Sequence, residues 1–317
     1  MDRPVCVLWV DDDKPYQQAL AAAGLAERFE LQWVKRDEPM PEELAARAQI
    51  LVGWRPGGYL AHMTRLAWIQ SMTAGVESWL ASPALRADVM LSCARGAHRL
   101  SMPENILGAL FHLTKPYMAV AEAQREGRWT RKRCIPLNGK TLGILGLGAV
   151  GQDLARKAAA LDMRVIGVKR SPAPVPHVER VYPPEQMDEV LGAADFVVLL
   201  MPSTPQTNNI MNAERLRAMK PTAWLLNFGR GSLVHDDDLI AAVRAKTIAG
   251  AVLDVFREEP LPSSHPFWTT ENILVLPHIG GGHPERNAHV AAIFAANAKR
   301  HLAGEPLETL VDRARGY

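Results

Sequence analysis

Arg230, Glu259 and His278 stand in that order behind a Gly-x-Gly-x-x-Gly turn: Arg230 in NFGRGSLV, Glu259 in LDVFREEPLP and His278 in LPHIGGG. A guanidinium can hold a carboxylate and polarise an adjacent carbonyl, an imidazole can give or take a proton, and a carboxylate can orient that imidazole. With a hydride donor, these are the groups that reduction of a 2-keto acid needs. Each also has a plainer reading. An arginine between glycines serves equally as a surface charge at a turn, Glu258 competes with Glu259, and a lone histidine is more often structural. His278 stands apart from the other histidines because it follows an apolar strand, precedes Gly280, Gly281 and Gly282, and has a candidate carboxylate partner.

Positioning three such distant residues requires a sheet, and the chain reads as one built for it. Short Val, Leu and Ile runs alternate with longer helical patterns, the mark of an α/β fold with doubly wound parallel sheets. VCVLWV, FELQWV, QILVGW, WIQSM and VMLSC predict a first set of strands, and TLGIL, MRVIGV, FVVLL, AWLLNF, IAGAVL and ILVLP a second set of six. Between them a helical stretch opening at Glu104 predicts a connector, with Pro116 bending or breaking it. A last apolar helix is expected from about Glu285 to Leu302. At 317 residues two domains are expected, one from residues 1–102 plus 287–317 and one from 103–286.

The second set opens on TLGILGLGAVG, a strand running into Gly146, Leu147, Gly148, Ala149, Val150 and Gly151 and then a helix. Gly146 permits the tight turn, Gly148 lets a pyrophosphate approach the backbone, and Gly151 lets helix and strand pack closely. The helix start adds N–H donors and a partial positive charge. At the end of the next strand, where an acidic residue would bind the ribose of NAD, the chain reads Lys169, Arg170, Ser171. Two cations and a hydroxyl suit a 2′-phosphate, so NADPH is expected over NADH, against the alternative of a solvated basic turn.

Composition narrows the classes. Hydrophobic residues make up 48% and charged residues 22%, as in an ordinary globular protein. The net charge of +2 comes from mixed signs without a basic stripe, so nucleic acid is not expected as a partner. No apolar run approaches the roughly 20 residues that span a bilayer, and the opening MDRPVCVLWVDDD reads as a first strand rather than a leader. Cys6, Cys93 and Cys134 fit neither a disulfide framework nor a metal pattern; a reduced, cytoplasmic setting and no metal are expected.

The strings GLGAVG, NFGRG, LDVFREEPLP and PHIGG, in this order across nearly the whole chain, resemble the D-2-hydroxyacid dehydrogenases. The KRS segment, the LVGWRPGG loop, the TAGVES turn and the tail VDRARGY resemble the glyoxylate/hydroxypyruvate reductase A branch. The resemblance implies a Rossmann coenzyme domain inserted in a flavodoxin-like substrate domain, and a homodimer. It selects Glu259 over Glu258 as the partner of His278. It places Asp254, which by sequence either caps its loop or meets the nicotinamide, on the nicotinamide. It assigns Pro202, Thr207, Asn227, Phe228, Gly229 and Gly280 to the cofactor surround, Trp54 to the substrate, and Ala74, Gly75 and Val76 to a turn whose N–H groups meet the substrate carboxylate. Two departures, His235 after the GRG string and His283 after the glycines, leave loop contacts and substrate preference open. The implied reaction is NADPH-dependent reduction of glyoxylate or hydroxypyruvate. The alternatives are an NADH-dependent reductase of bulkier 2-keto acids and a dinucleotide-sensing corepressor or scaffold.

Overall fold

Strands that are apolar along most of their length must be covered on both faces, and the central strands of both sheets are built that way. The computed structural model describes residues 3–317. It divides into two compact units, one comprising the residues up to Ala97 together with His283–Tyr317 and the other His98–Gly282.

The first unit holds β1 (Val5–Val10), β2 (Glu30–Lys35), β3 (Ile50–Gly53), β4 (Trp68–Ser71) and β5 (Met90–Ser92), all parallel, in the order β2-β1-β3-β4-β5. Alternate residues feed two cores. Leu8, Ile50, Val52 and Trp68 join Tyr16 and Phe294 on one face, while Val7, Leu51, Ile69 and Leu91 join Trp79 on the other. Phe294 comes from the last helix, Arg286–Ala303, which ends in the left-handed Gly304. The chain order reverses between β1 and β3, so loops after these strands diverge and leave a crevice at their carboxyl ends. Asp11 and Trp54 emerge there.

The second unit holds β6 (Thr141–Leu145), β7 (Arg164–Val168), β8 (Arg180–Tyr182), β9 (Phe196–Leu199), β10 (Trp224–Asn227), β11 (Gly250–Leu253) and β12 (Ile273–Val275). They form one parallel sheet in the order β12-β11-β10-β9-β6-β7-β8, reversing between β6 and β9. The sequence predicts six of these seven. It misses β8, an edge strand of three residues beginning at an exposed arginine, too short and too polar to show a buried pattern.

The register fixes the functional geometry. Val168 is level with Leu145, Leu145 with Leu199, Leu199 with Asn227, Asn227 with Leu253, and Leu253 with Val275. The segments beginning at Lys169, Gly146, Leu200, Phe228, Asp254 and Leu276 therefore all leave from one carboxyl edge. The expected connector is two helices, Ser101–Thr114 and Tyr117–Arg125, broken at Lys115 and Pro116. Proline forces the preceding residue out of helical backbone, and Lys115 is extended with φ −117° and ψ 132°. No helix among the described residues is long and apolar enough to cross a membrane.

Candidate active site

Glu259 and His278, on the loops after adjacent strands β11 and β12, meet. Nδ1 of His278 donates to Oε2 of Glu259 at 2.6 Å, while Oε1 of Glu259 accepts the Phe256 N–H at 2.9 Å. The carboxylate is thus held by its own loop and in turn holds the ring, leaving Nε2 as the free end of the imidazole. The histidine side chain is 53% exposed.

His278 has φ +53°, a left-handed backbone that a non-glycine residue adopts at a cost of about 1–3 kcal/mol. Asp254 holds the next residues in place. Fully buried, it accepts the N–H groups of Ile279 at 2.8 Å and Gly280 at 2.9 Å. Burial raises its pKa above the ordinary carboxylate value, opposed by those two N–H groups and by the nearby His278. These contacts tie Asp254, on the loop after β11, to the neighbouring loop after β12. Asn105 Nδ2 donates to the Gly280 carbonyl at 2.9 Å, and His98 Nδ1 lies 2.8 Å from the Gly281 carbonyl.

Arg230 follows β10. Asn227 closes that loop, its amide donating to the Arg230 carbonyl at 2.9 Å and accepting from the Gly229 N–H at 3.1 Å. The guanidinium donates through Nη1 to the Gly229 carbonyl at 2.7 Å. Gly231 abuts the loop that carries Glu259 so closely that a Cβ there would lie 1.9 Å from the Phe256 carbonyl carbon. Arg257 reinforces the same junction, donating to the Ser232 carbonyl at 3.1 Å and also to Val234 and Asn209, with Asp236 at 3.5 Å from its Nε. Gly231→Ala should force these loops apart, lowering stability by about 1–3 kcal/mol and turnover with it. A thermal unfolding midpoint and a rate equal to the parent protein's would contradict that close fit.

The glycine turn leaves β6 on the same edge. Gly146 has φ +119°, and a Cβ on Gly151 would sit 2.3 Å from the Gly146 carbonyl oxygen, so turn and helix are in backbone contact. At Gly148 the space beyond the missing Cβ is open, and this residue caps the helix Ala149–Ala159. Leu147 is buried beneath, while Ala149 is exposed and Val150 half-buried. Bare backbone, a helix start and open space together fit a pyrophosphate. Lys169 is half-buried at the end of β7, with Arg170 and Ser171 exposed after it. Pro202 accepts the Thr207 hydroxyl at 2.8 Å on its carbonyl, Phe228 and Gly229 are buried behind the Arg230 loop, and Gly280 is buried against Asp254 and Phe228.

Trp54, Ala74, Gly75 and Val76 belong to the first unit. Trp54 is half-buried after β3. Ala74 is exposed, Gly75 accepts the Thr73 hydroxyl at 2.6 Å on its carbonyl, and Val76 is buried. Of the two departures, His235 caps the helix Asp236–Arg244 by accepting the Asp238 N–H, and His283 packs its ring 5.0 Å from that of His289. The sequence reading missed Asn105, His98 and Arg257. Each acts on backbone far away in sequence, and no local string marks such a partner. Among the described residues there is no cluster of His, Cys, Asp and Glu suited to a metal ion.

Known proteins share these features. Residues 107–280 match the family model for the NAD-binding domain of D-isomer specific 2-hydroxyacid dehydrogenases. A structure of a D-isomer specific 2-hydroxyacid dehydrogenase family protein from Aeromonas salmonicida is 33% identical, with a TM-score of 0.89, over 98% of this chain and 100% of that one. The NADPH-dependent glyoxylate/hydroxypyruvate reductase of Sinorhizobium meliloti, solved with NADP and sulfate, is 27% identical with a TM-score of 0.85, over 99% of this chain and 100% of that one. A glyoxylate reductase of Thermofilum pendens is 30% identical over 256 residues, 77% of this chain and 74% of that protein. Other curated relatives are longer, and the chain spans about half the length of some of them. The chain belongs to the D-isomer specific 2-hydroxyacid dehydrogenase family, the NAD(P)-dependent oxidoreductases that interconvert 2-keto and 2-hydroxy acids.

Proposed function

We propose that this protein reduces small 2-keto acids, glyoxylate and hydroxypyruvate among them, with NADPH. The observation that carries the proposal is the 2.6 Å contact between His278 and Glu259 on the sheet edge from which the glycine turn and the Arg230 loop also leave. When bound, the nicotinamide supplies the hydride that reaches C2 of the keto acid. Arg230 holds the substrate carboxylate and polarises the carbonyl, and the backbone at Ala74, Gly75 and Val76 adds N–H donors. His278, ring fixed by Glu259, gives the proton on Nε2 to the forming alkoxide. Trp54 lies against the substrate, and Asp254 keeps the His278 loop in register. The NADP in the S. meliloti neighbour supports the same cofactor here.

Lys169, Arg170 and Ser171 are assigned to the 2′-phosphate. Replacing Lys169 and Arg170 by neutral residues should weaken NADPH by about a hundredfold and NADH by much less, since each charge-assisted phosphate bond contributes about 1.5–3 kcal/mol. Titrations showing equal loss for both cofactors would assign these residues to solvent.

A homodimer is proposed as well. Tyr117, Met118, Trp129 and Ile135 are large apolar residues exposed on the second unit, each of which a second copy could cover. The three cysteines are unpaired, which agrees with a reducing, cytoplasmic compartment. The direct test follows the absorbance of NADPH and, separately, NADH with glyoxylate, hydroxypyruvate, pyruvate and phenylpyruvate. The proposal expects fastest loss with NADPH and the first two acids; no loss with any acid refutes it.

A further inference from the structure

The first unit carries a second guanidinium whose surroundings call for an anion. Arg286 opens the helix Arg286–Ala303, with its Cζ 4.5 Å from the centre of the Trp54 ring. Arg36 lies over the same ring at 5.5 Å. The two cations differ in one respect. Arg36 has Asp11 at 3.3 Å and Asp37 at 4.0 Å, whereas Arg286 has no carboxylate partner among the described residues. Its bonds go to the Met72 carbonyl and, at 3.1 Å, to the neutral side chain of Asn287.

Three costs meet at this cation. It is half-buried, which disfavours its charge, and Arg36 repels it. It also occupies the first turn of a long helix, the positive end of the dipole, where acids are favoured and none is present; Glu285 precedes it without capping the helix. Close by, the Tyr16 side chain is fully buried and its hydroxyl has no hydrogen-bond partner among the described residues, although it lies within the field of Arg286 and Asp11. A buried hydroxyl without a partner is rare and costly. An oxyanion beside Arg286 would answer all four features, accepting from the guanidinium and from the phenol.

We propose that Arg286, seated on Trp54 beside the Tyr16 hydroxyl, receives a second oxyanion of the substrate, so that this chain prefers 2-keto acids carrying a carboxylate or sulfonate beyond the carbonyl carbon. The inference rests on the assignment of Trp54 to the substrate made above. Glyoxylate and hydroxypyruvate fill the carboxylate and carbonyl positions but leave this one unused.

Oxaloacetate and 2-ketobutyrate differ chiefly in a carboxylate against a methyl group, and 3-sulfopyruvate offers the sulfonate. The expected kcat/KM with NADPH is at least about tenfold higher for oxaloacetate or 3-sulfopyruvate than for 2-ketobutyrate, the scale of one charge-assisted bond. Arg286→Met should lower that ratio by about tenfold or more. Tyr16→Phe, which keeps the packing and removes only the hydroxyl, should lower it by about threefold. A wild-type ratio of one or less, or a ratio unchanged in Arg286→Met, overturns the inference while turnover of glyoxylate keeps the reductase reading. No turnover of any acid, glyoxylate included, overturns both.

Discussion

His278→Ala should lower turnover by roughly two to four decades while NADPH still binds, because on the proposed mechanism the variant loses its proton donor and keeps the glycine turn. The mechanism asks one atom, Nε2, to protonate the developing alkoxide, and the ring is half-exposed with its other nitrogen committed to Glu259. Alanine also tolerates the left-handed backbone at this position poorly. His278→Asn, which suits φ +53° better, separates chemistry from loop strain and should be as slow as alanine. Cofactor affinity measured by fluorescence titration should stay within a few-fold of the parent. Turnover close to the parent's in either variant would remove His278 from the reaction.

Arg230→Ala should raise KM and lower kcat together, with kcat/KM falling by about a thousandfold or more. A guanidinium that anchors the carboxylate acts in the ground state, and one that polarises the carbonyl acts in the transition state, so its loss appears in both constants. Arg230→Lys should recover little, because an ammonium cannot reproduce the planar, two-pronged geometry. The fold should survive, since the Asn227 amide closes the loop on itself and Gly231 packs it against Phe256, and alanine leaves both in place. A change confined to KM would restrict Arg230 to anchoring, and an unchanged KM would refute anchoring.

Much of this protein is legible in its sequence, for a physical reason. Strands covered on both faces are written as unbroken apolar runs, so VCVLWV and TLGIL announce themselves, whereas Arg180–Tyr182 at a sheet edge does not. The turn glycines Gly146 and Gly151 are likewise local and readable, whereas the contact that requires Gly231 is with Phe256 on another loop. The support of the site is not. Asn105 and His98 brace the glycines after His278 from the opposite end of their unit, and Arg257 bridges loops from two strands. Asparagine, histidine and arginine in those places are indistinguishable from surface residues until the sheet register is known. Asp254 lies between these extremes: its string marks it as special, but only the coordinates show both carboxylate oxygens spent on the Ile279 and Gly280 N–H groups.

The central claim is that the sheet edge makes Glu259 and His278 one working unit. A double-mutant cycle in kcat/KM tests it most directly, comparing Glu259→Ala, His278→Ala and the double variant with NADPH and glyoxylate. If Glu259 acts through the imidazole, its removal should cost about ten- to a hundredfold in the parent and almost nothing once His278 is gone. Losses that multiply in the double variant would show two residues acting independently, and the account would be wrong.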